Sequence, residues 1–242
     1  MVTEGRRHLV DKTVKLNDID IAEYGLYLAS IPTVPTPEQD IEYVEIRGRH
    51  GSLTKKYGFK DIPYQLEFFF FDDLPFKQVF RRAKTMLFSA KTMIITDDPT
   101  VYYKIKSLSV ETAENDIINY GRFIVNITLD PFQYEVNNPT EIITSQTTIH
   151  NPGYEALPII TAHVAGTGNI YINDQKITIQ NINGTITIDS EMQNAYRVSG
   201  GYVTNLNSHM IGRFPVLEHG KNTISFDGGI SKLEIVCNRR WV

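Results

Sequence analysis

The sequence predicts a mainly β protein of two domains, with a single α-helix flanking the first. Three observations carry that expectation. Apolar residues alternate with polar ones at a period of two through much of the chain, the pattern of half-buried strands. Glycine pairs and Asn–Gly or Asn–Asp steps interrupt these segments at close intervals, above all in the second half. Only the stretch DDLPFKQVFRRAKTMLFSA repeats its apolar residues at helical spacing.

Val14–Ala29 reads as a strand, a turn around Asn17–Asp18, and a mixed segment ending in GLYLAS. IPTVPTPEQD follows, with Pro32, Pro35 and Pro37 close together. That density excludes helix and inner strand, and leaves an extended arm or exposed loop. Tyr43–Arg47 alternates as a short strand, with Val44 and Ile46 on one face. Gly48, Gly51 and Gly58 then break the pattern among Arg47, Arg49, His50, Lys55, Lys56 and Lys60. Glycine permits positive φ and close backbone approach, so Arg47–Lys60 is expected to be a basic loop with a specified path.

The apolar run of QLEFFFF leads into the helix. Asp72 or Asp73 is placed to cap it and Pro75 suits its first turn. Phe76, Val79, Phe80, Ala83 and Leu87 face inward, and Lys77, Arg81, Arg82 and Lys84 face solvent or a partner. TMIITD, VYYKIKSLSVE and YGRFIVNITLDPF read as strands, the last two forming antiparallel ribbons around the polar connection TAENDIIN. The strand signal ends in DPFQYE. The turn-rich VNNPTE then sets a domain boundary, giving domains 1–140 and 141–242.

In the second domain turns are expected at Gly166–Gly168, Asn173–Asp174, Asn183–Gly184, Ser199–Gly201, His219–Gly220 and Gly228–Gly229. Ile170, Ile172, Ile177, Ile179, Ile186 and Ile188 fall into period-two sets between them. About nine short strands in roughly a hundred residues make a sandwich or jelly-roll-like module.

The totals narrow the function. A chain of 242 residues, 41% hydrophobic, has ample core for one large or two ordinary domains. A net charge of −4 argues against a general nucleic-acid binder. MVTEGRRHLVDK has no continuous apolar core, so no signal peptide is expected, and no run is long enough for a membrane span. The single cysteine, Cys237, cannot form an intrachain disulfide or a thiolate zinc cage. Its alternation with Leu233 and Ile235 turns it inward, and folding in a reducing cytoplasm is expected.

No nucleotide, zincin, nucleophile-elbow or calcium-loop motif is present. The six histidines show no metal-ligand spacing, and no cofactor is expected. Asp189 and Glu191 lie two apart, which on a strand would aim two carboxylates at one face, as glycoside hydrolysis requires. A strand such as TITID ending in an acidic turn is the stronger explanation, nothing else suggests a sugar cleft, and no enzymatic activity is expected. A sugar-binding platform would draw on Tyr171, Tyr196 and Tyr202, with Phe214; such tyrosines more often pack at the edge of a core. The basic loop, with Arg47, Arg49, His50, Lys55, Lys56 and Lys60, could meet phosphate. It lacks the interleaved aromatics of a single-strand binder, so a solvated or subunit-facing loop is the simpler reading.

Taken in order, IRGRHGSLTKKYGFKDIPYQLEF, the helix with its FRRAK, and LDPFQYE resemble the distal tail protein family of long, non-contractile-tailed bacteriophages. In the second half NPGYEALPII, YIND, ITIDSEMQNAY, GRFPVLEHGKNTISF and the final strand fit as well. The resemblance covers nearly the whole chain. It implies an N-terminal β-sandwich related to tail-tube proteins with one flanking helix, and a C-terminal galectin-like β-sandwich. It also implies a homo-oligomeric, usually hexameric ring joining the tail tube protein to the tail-associated baseplate or fibre protein. The implied setting is a virion tail tip assembled in the host bacterial cytoplasm, with tape measure and receptor-binding proteins as further partners. The implied role of the Arg47–Lys60 loop and the proline-rich arm is contact with a neighbouring subunit. Asp72–Asp73, Asp97–Asp98 or Glu111–Glu114 would supply the counter-charges. The competing reading is a carbohydrate-binding adhesion module for host cell-wall attachment.

Overall fold

The computed structural model describes residues 13–71, 75–117 and 120–242. Asp72, Asp73, His8 and the stretch considered as a leader lie outside the described residues. The chain divides into two compact units, one ending at Val136 and the other spanning Asn137–Trp241. Both are mainly β.

In the first unit β1 (Val14–Leu16) and β2 (Ile19–Asp20) form a ribbon about Asn17 and Asp18, both at positive φ. The turn does more than reverse the chain. Asn17 Oδ1 accepts from the Lys91 amide (2.8 Å) and its Nδ2 donates to the Ser89 carbonyl (2.9 Å). A short 3-10 turn, Ile21–Tyr24, leads to β3 (Leu26–Leu28). The proline-rich arm is extended and without regular structure up to Glu38. β4 (Gln39–Val44) and β5 (Leu53–Phe59) follow as a separate two-stranded ribbon.

β6 (Ile62–Phe71) alternates strictly, burying Ile62, Tyr64, Leu66, Phe68 and Phe70. The helix α1 (Phe76–Ser89) buries Phe76, Val79, Ala83, Met86 and Leu87. Pro75 occupies the N-cap position in extended conformation, one residue before the first turn. β7 (Thr92–Ile95), β8 (Val101–Val110), β9 (Glu114–Ile117) and β10 (Tyr120–Glu135) complete the unit. The antiparallel order is β2-β1-β7-β8-β10-β6-β3, with β9 also paired to β10. Phe68 lies opposite Phe123 in the ladder, and their rings meet at 5.5 Å. The strand signal ends in DPFQYE as expected, at Glu135. The ladder to β8 shifts register around Asp130–Phe132, which admits Pro131 within a strand.

Tyr103 on β8 is buried, and burial pushes its phenol up to about 12 although the Gln133 amide donates to its oxygen (2.8 Å). A raised folded value favours the protonated form. Its contribution is therefore complete below the ordinary tyrosine range near 10 and lost as pH rises toward about 12. The urea midpoint of the first unit should fall across that window. Tyr103→Phe should flatten the fall.

The second unit comprises β11 (Thr140–Ile143), β12 (Thr147–Asn151), β13 (Ile159–Ile172), β14 (Gln175–Asp189), β15 (Asn194–Ser199), β16 (Tyr202–Asn205), β17 (Met210–Ile211), β18 (Gly220–Val236) and β19 (Arg240–Trp241). The order is β11-β18-β13-β14-β15-β16, with β12 also on β18 and β17 on β14. The hairpin at Asn173–Asp174 lies where the sequence places it. Three other expected turns do not exist. Gly166–Gly168, Asn183–Gly184 and Gly228–Gly229 lie inside β13, β14 and β18, which run through them as long strands. The β13 ladders shift register at Gly166–Gly168, so glycine here serves a bulge and a bend. Each long strand thus feeds two regions of one core. Ile160, Ala162 and Val164 before the β13 bend share a cluster with Ile170 and Ile172 after it, and Leu233, Ile235 and Cys237 join them.

Candidate functional site

The β4–β5 ribbon is where the structure departs most from the expected loop. Lys55 and Lys56 stand on a strand, and the segment without strand structure shrinks to residues 45–52 at the tip. The register pairs Val44 with Leu53, Glu42 with Lys55 and Ile41 with Lys56. It shifts between Asp40 and Ile41, near Gly58 at φ +135. The strand expected over Tyr43–Arg47 ends at Val44, and Arg47, Arg49 and His50 sit at the tip.

No residue from Glu38 to Lys60 is buried. Tyr43 (66% exposed), Tyr57 (62%), Ile46 and Leu53 all face outward. The base is anchored: Phe59 meets Phe132 edge-on at 5.9 Å, and the Tyr64 hydroxyl donates to the Thr33 carbonyl at 2.7 Å. Beyond that base no described residue forms a layer beneath the ribbon. Two strands with no core to lie on are marginal in water, so this element presents unused apolar surface and two open strand edges.

Its charges are segregated by strand. Glu38 and the β4 residues Asp40 and Glu42 carry acid, β5 and Lys60 carry base, and the tip sets Arg47 and Arg49 near Glu45. Lys55 approaches Glu42 at 3.8 Å and Lys60 approaches Glu38 at 3.7 Å, both at the long limit and exposed. Such pairs are worth about 0–1 kcal/mol. The Tyr57 hydroxyl donates to Glu42 (2.5 Å), which holds the phenol above its ordinary range. Among the described residues the paired counter-charges are therefore Glu42 of the ribbon's own first strand and Glu38 just before it, a set that composition alone did not bring forward. The alternation in QDIEYV opposite LTKKYGF was the signal. Asp98 is engaged locally by Thr100 and Glu111 by Asn126, while Asp72, Asp73 and the Glu114 side chain lie outside the described residues.

The tyrosines considered as a sugar platform are dispersed. Tyr171 on β13 pairs with Lys176 of β14, whereas Tyr196 on β15 pairs with Thr187. Those partners are separated by on the order of 30 Å of strand. Tyr202 on β16 is 80% exposed and Phe214 packs against the core. The Tyr171 hydroxyl is already spent on Asp227 (2.9 Å), whose other oxygen accepts from Asn169 (2.6 Å), and these bonds hold the Asp227 carboxyl below its ordinary range. Asp189 and Glu191 do not form a pair on one strand face. Asp189 ends β14 and accepts from the Met192 amide (2.9 Å), while Glu191 lies exposed in the following turn. Among the described residues no cluster of three or more His, Cys, Asp or Glu could hold a metal, and no helix is long and apolar enough to cross a membrane.

No protein-family model matches the sequence, and no curated protein does. Solved structures do match. The SPP1 Dit protein, described as a paradigm of hub adsorption apparatus in phages infecting Gram-positive hosts, aligns over 96% of this chain and 99% of its own with a TM-score of 0.68 and 13% identity. A chain of the phage P2 baseplate in its activated conformation with calcium aligns over 92% of this chain and 94% of its own, with a TM-score of 0.50 and 12% identity. The strontium form gives 0.50 and 13% over 93% and 96%. Over 96% of its length the chain therefore has the fold of the SPP1 Dit protein, with both units in the same order.

Proposed function

We propose that this protein is the structural hub of a bacteriophage tail tip, a distal tail protein that forms a ring, hexameric in the family it resembles, between tail tube and baseplate or fibre. Residues 1–140 form the ring and residues 141–242 are the galectin-like module. Its partners are further copies of itself, the major tail tube protein and the tail-associated baseplate or fibre protein, with tape measure and receptor-binding proteins beyond them. Its place is the virion tail tip, after assembly in the host cytoplasm. The role is scaffolding, without catalysis.

The observation that carries the ring is the uncovered β4–β5 ribbon. A closed ring of identical subunits needs a heterologous interface, in which one patch meets a different patch of the next copy. The ribbon supplies both halves. Its acidic strand and its basic strand have free edges, so β4 of one copy laid beside β5 of the next closes strand edges and matches charge. The apolar residues Tyr43, Leu53 and Tyr57 lose water in the same step.

Reversing Arg47, Arg49, Lys55 and Lys56 together to glutamate should convert the ring to monomer by light scattering. Reversing Glu38, Asp40 and Glu42 to lysine in the same protein should restore the ring. An unchanged mass for the first variant would remove the ribbon from the interface.

A further inference from the structure

The outer side of α1 carries a second unclaimed surface. Lys77, Arg81, Lys84 and Phe88 follow one another at spacings of four, three and four residues, and so share one face. Phe88 is 62% exposed. The helix contains four cations, counting Arg82, and no carboxylate. None of the four forms an ion pair among the described residues. Lys84 rests over the Phe80 ring (4.9 Å) and Arg82 over Tyr24 (6.0 Å).

Beside this face runs an open groove of about 530 Å³. Phe76, Phe80 and Phe88 form one wall, and Val110 and Ala113 the other. Phe76 and Phe80 stack at 5.3 Å, and Phe80 meets Phe123 edge-on at 4.9 Å, so the floor is rigid and continuous with the core. Glu111 borders the groove, but its carboxylate accepts from Asn126 (2.8 Å). Lys77 and Lys84 outnumber that one carboxylate, so among the described residues the rim is net cationic over an aromatic floor.

We infer that this groove docks an acidic, amphipathic segment of a different protein, its apolar side on Phe80 and Phe88 and its carboxylates on Lys77, Arg81 and Lys84. A second copy is the weaker occupant because the ribbon's acids are already claimed. Glu42 and Glu38 lie beside Lys55 and Lys60, and in the ring proposed above the acidic strand meets the basic strand of the next copy. The groove itself stands on α1 and its neighbours; the choice of a different protein over a second copy rests on that ring.

The test uses the full-length protein and a labelled helical peptide bearing leucine and phenylalanine on one face and glutamate on its flanks, read by fluorescence anisotropy. Saturable micromolar binding is expected. It should weaken about tenfold in Lys77→Glu/Lys84→Glu and about tenfold in Phe88→Ser, while Lys221→Glu, at an exposed position of β18, leaves it unchanged. These positions are exposed or half-exposed, and an unchanged melt shows that the variants fold. The inference is overturned if no saturable binding occurs, if a peptide with lysine for glutamate binds as well, or if the helix variants bind normally. It is equally overturned if duplex DNA or phosphatidylserine vesicles displace the peptide through the same residues. If Phe88→Ser instead dissolves the self-assembled particle, a second copy fills the groove and the inference fails.

Discussion

Replacing Gly229 with alanine should destabilise the second unit by about 3 kcal/mol or more, at the upper end of what overpacking costs. Gly229 lies in mid-β18, where a Cβ would be driven into the carbonyl oxygen of Ala165. That carbonyl carbon would be 2.9 Å away and the Thr167 oxygen 3.2 Å. These are backbone atoms of β13, so no side chain can rotate aside. The strands cannot slide apart either, because the ladder is closed on both sides, Val164 with Ile230 and Gly168 with Gly228. Relief would require breaking ladder hydrogen bonds at about 1 kcal/mol each. Gly166→Ala is the informative control. Gly166 has φ +92 with nothing within 4 Å of a Cβ, so its cost is backbone strain alone, about 1–2 kcal/mol. Trp241, the only tryptophan, belongs to the second unit and reports its unfolding. Its transition should fall by about 12 °C or more in the Gly229 variant and by less in the Gly166 variant. The reverse order would mean that the bulge relaxes freely and that close approach is not why glycine stands there.

That pair of glycines also shows where sequence reading stopped. A glycine in a turn and a glycine at a strand bulge share the same local signature, a break in alternation, and differ only in what lies across the sheet. Asn173–Asp174 was legible because flanking strands of matching pattern fold back on each other within a few residues. Gly228–Gly229 was not, because its close neighbour is Ala165, more than sixty residues earlier. The helix was legible for the opposite reason: its signal is entirely local, and of the inward set the spacing gives, Phe76, Val79, Ala83 and Leu87 are buried, Phe80 is half-buried, and Met86 joins them. At the ribbon, the glycines Gly48 and Gly51 drew the eye to a loop, and both do lie at its tip at positive φ. The strand pairing that frames them needed Glu42 opposite Lys55, a relation between segments that no window over the basic residues contains. Exposure was less legible still. LTKKYGF and TITID have similar strand character, yet one lies free on the surface and the other is half-buried, and only the long-range partners differ.

Asn222→Leu should cost the second unit about 3–4 kcal/mol despite keeping the branched side-chain skeleton and adding apolar surface. Asn222 is fully buried near the start of β18, and every polar valence of its amide is used. Nδ2 donates to the carbonyls of Glu218 (2.8 Å) and Gly220 (3.2 Å). Oδ1 accepts from the Glu218 amide (2.9 Å) and from Asn173 Nδ2 (3.0 Å). Asn173 continues the network: it holds φ +50 in the β13–β14 turn, and its Oδ1 accepts from the Thr223 amide (2.9 Å). One side chain therefore ties the β13–β14 turn to β18 and to the loop that precedes it. Leucine removes every one of these bonds and strands their partners away from water, where each unmade bond costs about 1–3 kcal/mol less whatever water re-enters. Asn222→Asp separates hydrogen bonding from packing. The carboxylate keeps both acceptors but faces the Glu218 and Gly220 carbonyls without donors, which raises its folded pKa above the ordinary aspartate value near 4. A raised value means stability present at low pH and lost as pH rises through it. The aspartate variant should therefore lag the parent most at pH 7 and recover relative to it toward pH 4, while the leucine variant shows no such recovery. Equal loss at both pH values in both variants would show that shape, and not the amide network, holds this turn.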